Sequence, residues 1–338
     1  MSNLKEIKRE EIIEEVKKVP FELRSSINLD SKYTFGVEIE FENACLSNFQ
    51  NIGIWKSKSE NIISKITGED ILGGELTSPI LRDNEDCWKE IYKKCKKLIQ
   101  YNAMTSEYTG GHIHIGAQAL GNDPTNIRKF LKLWELYENV IYYFSYGYSN
   151  KPRLGINVYA QPIGGKLKLN RKSLEGYTTF AGFYGWLQKF FGDAKNKKLG
   201  INFKNYRGWE EDENNTIEFR CPNGILDSAM WQNNINFFTR LTISSHGQNC
   251  DEELLDYLLS KKSDSEYKLD NFGIIDIDKA IYLSDMIYDK EIDKLLFLKQ
   301  YLKLFTEEEK SRNHSVWFLF FINSLNNLVN ALFSIRET

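Results

Sequence analysis

The chain has 338 residues, enough for one large domain or two ordinary ones. Apolar residues at 41% and charged residues at 27% exclude a disordered or fibrous chain, and the 14% aromatic share points to a substantial core. Lys and Arg number 44 against 47 Asp and Glu, so the net charge of −3 leaves no global basic field for nucleic acid.

The opening stretch MSNLKEIKREEIIEEVKKV is charged throughout and lacks the apolar run of a signal peptide, so a cytoplasmic location is expected. Its charges alternate at helical spacing over residues 3–18, which predicts a solvated helix inside an N-terminal arm, 1–30; Pro20 ends it. Residues 34–42 change to strict period two, the signature of a strand. A strand near 72–77 ends before Pro79, and 86–101 carry a helical apolar stripe. The segment 111–116 is again period two, introduced by Gly110 and Gly111. Asp123–Pro124 opens a helix that runs to about Tyr146. Residues 147–170, rich in Gly, Pro and Asn, read as strand and loop, and 173–191 as aromatic helix. Short strands are expected at 199–204 and 215–221, then a helix over 226–245 and an almost wholly helical pattern from 251 onward. The apolar run Val316–Ile335 contains Asn323, Ser324, Asn326, Asn327 and Asn330, which lipid would penalise; a buried core or interface helix is expected, and no membrane. The organisation is therefore an α+β core over 31–245 with a helical C-terminal segment, 246–338, packed on it. Cys45, Cys87, Cys95, Cys221 and Cys250 are odd in number and include no CxxC pair, as in a chain of reduced thiols.

Four short segments carry chemistry. In Phe35-Gly36-Val37-Glu38-Ile39-Glu40-Phe41-Glu42, alternation sends Phe35, Val37, Ile39 and Phe41 to one face and Glu38, Glu40 and Glu42 to the other. In-line carboxylates repel unless water or a hard cation screens them. An amphipathic strand with a wet face is the plain alternative. In Gly110-Gly111-His112-Ile113-His114-Ile115-Gly116 the two histidines share a face, and the chain has only four. A lone His-x-His serves surface and packing roles as readily as metal. In Thr216-Ile217-Glu218-Phe219-Arg220 the polar residues share the face opposite Ile217 and Phe219, and Gly73-Gly74-Glu75-Leu76-Thr77-Ser78-Pro79 sets a glutamate after two glycines. Glycine there permits close backbone approach to a ligand. Together these residues are too rich in carboxylate for a structural zinc site and suit hard cations beside a phosphoryl group, with arginine as its clamp. Cys221 should face the core, and Glu42 should be exposed or at the rim. The basic stretch Lys195-Asn196-Lys197-Lys198 reads as a solvated loop.

FGVEIEF, GGELTSPIL, GGHIHIG and TIEFR, in this order over roughly residues 33–240, resemble the amidoligase family, relatives of glutamate–cysteine ligase and glutamine synthetase. The resemblance implies a curved antiparallel sheet of the glutamine synthetase catalytic-domain type, with helices behind it and ATP and metal on its concave face. It implies Glu38, Glu40, Glu75, His112 and Glu218 as metal ligands, His114 and Arg220 as phosphate contacts and catalytic groups, and Asn202, Arg153 and Arg207 as further nucleotide or substrate contacts. The cofactors would be ATP and two or three Mg²⁺, with Mn²⁺ as a substitute. The segment WKSKSENIISKITGED departs from the family, since its acidic residues Glu60, Glu69 and Asp70 do not fit the family's acidic position.

The expected activity is ATP-dependent joining of a carboxylate to an amine through an acyl phosphate. The partners would be small-molecule or peptide substrates, with a homo-oligomer as the analogy with this fold suggests. Three alternatives stay open: a guanidino-type phosphotransferase on the same fold, a degenerate nucleotide- or partner-binding module, and a metal-dependent hydrolase using His112 and His114 without ATP.

Overall fold

The computed structural model of the protein describes residues 2–49, 53–59, 62–63, 70–71, 73–191, 198–208 and 214–313. Its centre is an open six-stranded antiparallel sheet. In chain order the strands are β1 (Phe35–Glu42), β2 (Lys56–Ser59), β5 (Gly73–Thr77), β6 (Gly111–Gly116), β7 (Ile201–Asn202) and β8 (Thr216–Phe219). They lie side by side as β2-β5-β1-β6-β8-β7, while β3 (Ile62–Ile63) pairs separately with β4 (Asp70–Ile71). Eleven α-helices accompany the sheet among the described residues, giving a mixed α/β chain.

One face of the sheet is apolar except at its edge strand β2, where Ser57 and Ser59 lie. Phe35, Val37, Ile39 and Phe41 of β1, Leu76 of β5, Ile113 and Ile115 of β6, Ile201 of β7, and Ile217 and Phe219 of β8 are all buried. Three helices cover that face: α2 (Glu85–Gln100), α3 (Pro124–Ser145) and α7 (Ser228–Ser244). Aromatic rings make the junctions. Phe35 stacks on Trp88 at 5.0 Å between centroids, and Phe219 lies between Trp134 at 5.7 Å and Phe238 at 4.4 Å. The helix starts are those that side-chain caps dictate: Asp123 accepts from Thr125 N before Pro124, and Asp227 accepts from Ala229 N.

Helix α3 is buried nearly all round, so its polar residues need internal partners. Lys132 Nζ reaches Glu252 at 2.9 Å and Asp256 at 2.7 Å. Glu138 accepts from Trp134 Nε1 at 2.9 Å, Ile163 N at 2.6 Å and Gly164 N at 2.8 Å. Those last two bonds begin helix α5 (Gly164–Glu175), and they correct the expectation of strand and loop through residue 170. A distant carboxylate supplies the cap that the local sequence lacks, and burial pushes the Glu138 carboxyl upward. The expected strand over 199–204 shortens to Ile201–Asn202.

The N-terminal helix α1 (Ser2–Lys18) packs against α10 (Glu291–Tyr301), with Val16 fully buried. One continuous apolar cluster runs from Val16 through the sheet to Tyr301, so the arm, the sheet region and the helices after 246 share a core. The expected helix Val316–Ile335, and Lys195, Asn196, Lys197, Glu60 and Glu69, lie outside the described residues. No helix of the described residues is long and apolar enough to cross a membrane.

Phe219 joins sheet to helices, so Phe219→Ala should lower unfolding stability by about 3–5 kcal/mol. Urea denaturation measures this, and a loss under ~1 kcal/mol would mean that the interface collapses around the gap.

Candidate metal centre

Polar side chains from all six strands gather on the other face. Strand pairing sets Glu38 opposite both Thr77 and His112, Glu40 opposite Glu75, His114 opposite Glu218, and Glu218 opposite Asn202. Directly opposed residues in such a sheet have Cβ atoms ~5 Å apart. Residues far apart in the chain are thereby forced into one polar layer. Gly36, opposite His114, has no side chain to compete for the space beside it.

Glu38 is the hub. Its Oε2 lies 2.6 Å from His112 Nδ1 and its Oε1 lies 3.0 Å from His114 Nε2. Burial would raise the Glu38 carboxyl, but its hydrogen bonds to His112 and His114, followed by the charges of both rings, outweigh burial and hold it far below the ordinary carboxylate range. Burial works against the charged form of His114 as well, yet the bond to Glu38 and the charges of Glu218 and Glu38 raise its pKa.

Glu218 is held at both oxygens. Asn202 Nδ2 donates to Oε2 at 2.8 Å, and Arg220 Nη1 donates to Oε1. Burial raises this carboxyl, but the charges of His112, Arg220 and His114 prevail and lower it. Glu75, almost fully buried, accepts at Oε1 from Thr77 Oγ1 and from Lys58 Nζ, each at 2.9 Å. Burial and the neighbouring Glu38 charge push the Glu75 carboxyl up.

Two sets of ligating atoms lie within 4.8 Å of one another: Glu38, Glu75 and His112, and Glu38, His114 and Glu218. The sets share Glu38. His112 Nε2 is buried without a hydrogen-bond partner. An Nδ1–H donated to Glu38 leaves the Nε2 lone pair free, the tautomer that a metal-binding imidazole requires. The residues therefore fit a divalent cation on their own chemistry, carboxylate oxygens supplemented by imidazole.

The expected ligands do not all play equal parts. Glu40 belongs to neither set; its Oε2 accepts from Gly110 N at 2.5 Å and faces Arg153 Nη1 at 3.6 Å, while its Oε1 is 3.6 Å from His112 Nε2. His114, expected to contact phosphate, lies in the second of these sets. Arg153 is buried and wedged against Gly110, where a Cβ would fall 1.7 Å from Nη1. Its Nη2 donates to the Arg220 carbonyl at 3.0 Å. Arg207 sits in the loop beyond β7, its backbone N–H donating to Asn215 Oδ1 at 2.8 Å.

Cys221 faces the core as expected: it is fully buried, and burial pushes its thiol up to about 12. Glu42, expected at the rim, is instead buried beneath the segment after α2, where it accepts from Ser106 Oγ and where its backbone pairs with Met104. Burial raises its carboxyl, and an alternating pattern alone gave no sign of this covering segment. Lys58 is a contributor that sequence reasoning missed, although Lys56-Ser57-Lys58-Ser59 is itself period two and places Lys58 opposite Glu75.

The Glu38–His114 pair gives the metal-free protein a defined pH window. The depressed Glu38 carboxyl contributes stability that is present above its unfolded value of 4.5 and is lost as pH falls toward its folded value. The raised His114 contributes stability present below its unfolded value of 6.5 and lost as pH rises through its folded value. The difference in thermal midpoint between wild type and Glu38→Gln, both stripped with chelator, should be largest between pH 4.5 and 6.5. A difference that stays flat from pH 3 to 9 would show that the pair does not ionise as described.

No protein-family model matches the chain, and no curated protein matches it.

Proposed function

We propose that the polar face is the ATP- and metal-dependent centre of a carboxylate–amine ligase of the glutamine synthetase type. The observation that carries this reading is the pair of ligand sets sharing Glu38, with the unpartnered His112 Nε2 among them and Arg220 at their edge. Glu38, Glu75 and His112 would hold one cation and Glu38, His114 and Glu218 a second. Glu40 is near enough to His112 Nε2 to complete the shell. Bound there, Mg²⁺ or Mn²⁺ would offset phosphate charge and align the reacting oxygens.

The chain's own groups then have distinct tasks. Asn202 and Arg220 fix the Glu218 carboxylate, and Thr77 and Lys58 fix that of Glu75. Arg220 is partly exposed, so its guanidinium can turn from Glu218 to a transferring phosphoryl group. In the reaction, a substrate carboxylate oxygen attacks the γ-phosphorus of ATP and ADP leaves. An amine then attacks the acyl carbon, the C–O bond to phosphate breaks, and the amine loses a proton. No protein nucleophile is called for, in keeping with the buried, inert Cys221.

One observation favours a second reading. Both imidazoles belong to the ligand sets, and nitrogen ligands suit the zinc of a hydrolase better than magnesium, which prefers oxygen. ATP dependence separates the two. Wild type should release ADP and phosphate from Mg-ATP with pooled amino acids and amines, and Glu218→Gln should be slower by roughly 100-fold or more. A stable phosphorylated product in place of free phosphate would assign a phosphotransferase, and hydrolysis without ATP would assign the hydrolase. Mn²⁺ binding followed by electron paramagnetic resonance supplies a separate check. Glu38→Gln removes the shared ligand and should weaken it by about tenfold or more while the circular dichroism spectrum is retained.

A further inference from the structure

The carboxylates around the candidate metal centre are not free to offer both oxygens. Glu75 Oε1 is held by Thr77 Oγ1 and Lys58 Nζ, and Glu218 Oε2 is held by Asn202 Nδ2. Glu40 has the least freedom. Its Oε2 accepts from Gly110 N at 2.5 Å and faces Arg153 Nη1 at 3.6 Å. Its other oxygen, Oε1, lies 3.6 Å from His112 Nε2, the buried atom without a hydrogen-bond partner. One oxygen is thus spent on the protein and the other points at the vacant imidazole nitrogen.

The groups that hold Oε2 have little room to yield. A backbone N–H in the approach to β6 does not swing aside as a side chain does. Arg153 is only 5% exposed, and its guanidinium lies against the Gly110 backbone, where a Cβ would fall 1.7 Å from Nη1 and 2.4 Å from Cζ. Its Nη2 donates to the Arg220 carbonyl at 3.0 Å, and its backbone N–H donates to Asn223 Oδ1 at 2.9 Å. Burial works against the guanidinium charge, and Glu40 is the foremost of the charges that support it. A planar guanidinium fixed at both ends keeps its position better than a flexible ammonium would.

Such a clamp bears on which cation fits. Calcium takes about six to eight oxygens and commonly uses both oxygens of one carboxylate, whereas magnesium demands a tighter, near-octahedral shell of about six ligands. Selectivity between the two follows ligand number and flexibility. We infer that Arg153, wedged against Gly110, is a positioning residue that confines Glu40 to one free oxygen and so favours Mg²⁺ over Ca²⁺. The inference rests on the metal centre proposed above, and it does not depend on the ligase chemistry assigned there.

Competition for Mn²⁺ tests it on the full chain. Bound Mn²⁺ is followed by electron paramagnetic resonance and displaced with Mg²⁺ or with Ca²⁺; the ratio of the two half-displacing concentrations is the readout. Wild type should release Mn²⁺ to Mg²⁺ at a concentration no higher than it needs of Ca²⁺. Arg153→Met removes the cation and should shift the ratio toward Ca²⁺ by about tenfold, the usual scale for a partner that orients a metal ligand. Gly110→Ala should shift it the same way, because the added methyl displaces the guanidinium while leaving the N–H in place. Arg153→Lys keeps a cation near Glu40 and should restore most of the wild-type ratio. An unchanged ratio in a folded Arg153→Met protein overturns the inference, as does a lysine variant that behaves like the methionine one. Wild type that yields Mn²⁺ more readily to Ca²⁺ overturns it without recourse to any variant. Mn²⁺ binding with no such preference removes this inference alone, while no Mn²⁺ binding by wild type removes the metal centre together with it.

Discussion

The antiparallel register of β1 with β6 places Glu38 opposite His112, and the arrangement of the polar face depends on that pairing. A slip of one residue in either strand would exchange the two faces, sending Val37 or Ile113 into the carboxylate layer and a glutamate or histidine toward Trp134 and Phe238. The slip is opposed from behind by the aromatic junctions that hold Phe35 and Phe219 in the core. Packing on one side of the sheet thus sets the geometry of the charged groups on the other.

That side concentrates charge in surroundings that penalise it. Glu38, Glu75 and Glu218 lie close together and largely out of water, and each is answered by a different donor. Imidazoles answer Glu38, an amide and a guanidinium answer Glu218, and a hydroxyl and an ammonium answer Glu75. The face is kept together by these unlike donors rather than by carboxylates alone. A surface of carboxylates paired only with one another would instead repel.

Much of this was legible in the sequence, because its signals are local. Period two in 34–42, 111–116 and 215–221 gave the strands and correctly separated Val37, Ile113 and Phe219 from Glu38, His112 and Glu218. The helix over Pro124–Ser145 was marked by its own cap and proline. Features made by distant residues were not legible. The start of α5 is capped by Glu138 from another helix, Glu42 is covered by the segment bearing Ser106, and Glu40 is engaged by Arg153 and Gly110 rather than by the shared ligand sets. The short edge strand bearing Lys58 has no apolar residue, so its alternation of lysine and serine looks like a solvated loop until β5 is placed beside it. The order of the four motifs gave the proposal its chemistry, while their spatial convergence came from strand pairing that no single motif encodes.

The contact between Gly110 and Arg153 has a consequence for how this sequence can change. A methyl group at 110 would occupy the position of the guanidinium, which in turn reaches Glu40 and the Arg220 carbonyl. Substitutions at these two positions are therefore not independent. A side chain becomes acceptable at 110 only after 153 has become smaller, and that first step strips Glu40 of its cation. Drift through this corner of the sheet is restricted to an ordered path whose first step is unfavourable, so the glycine and the arginine should persist or disappear together as the lineage diverges.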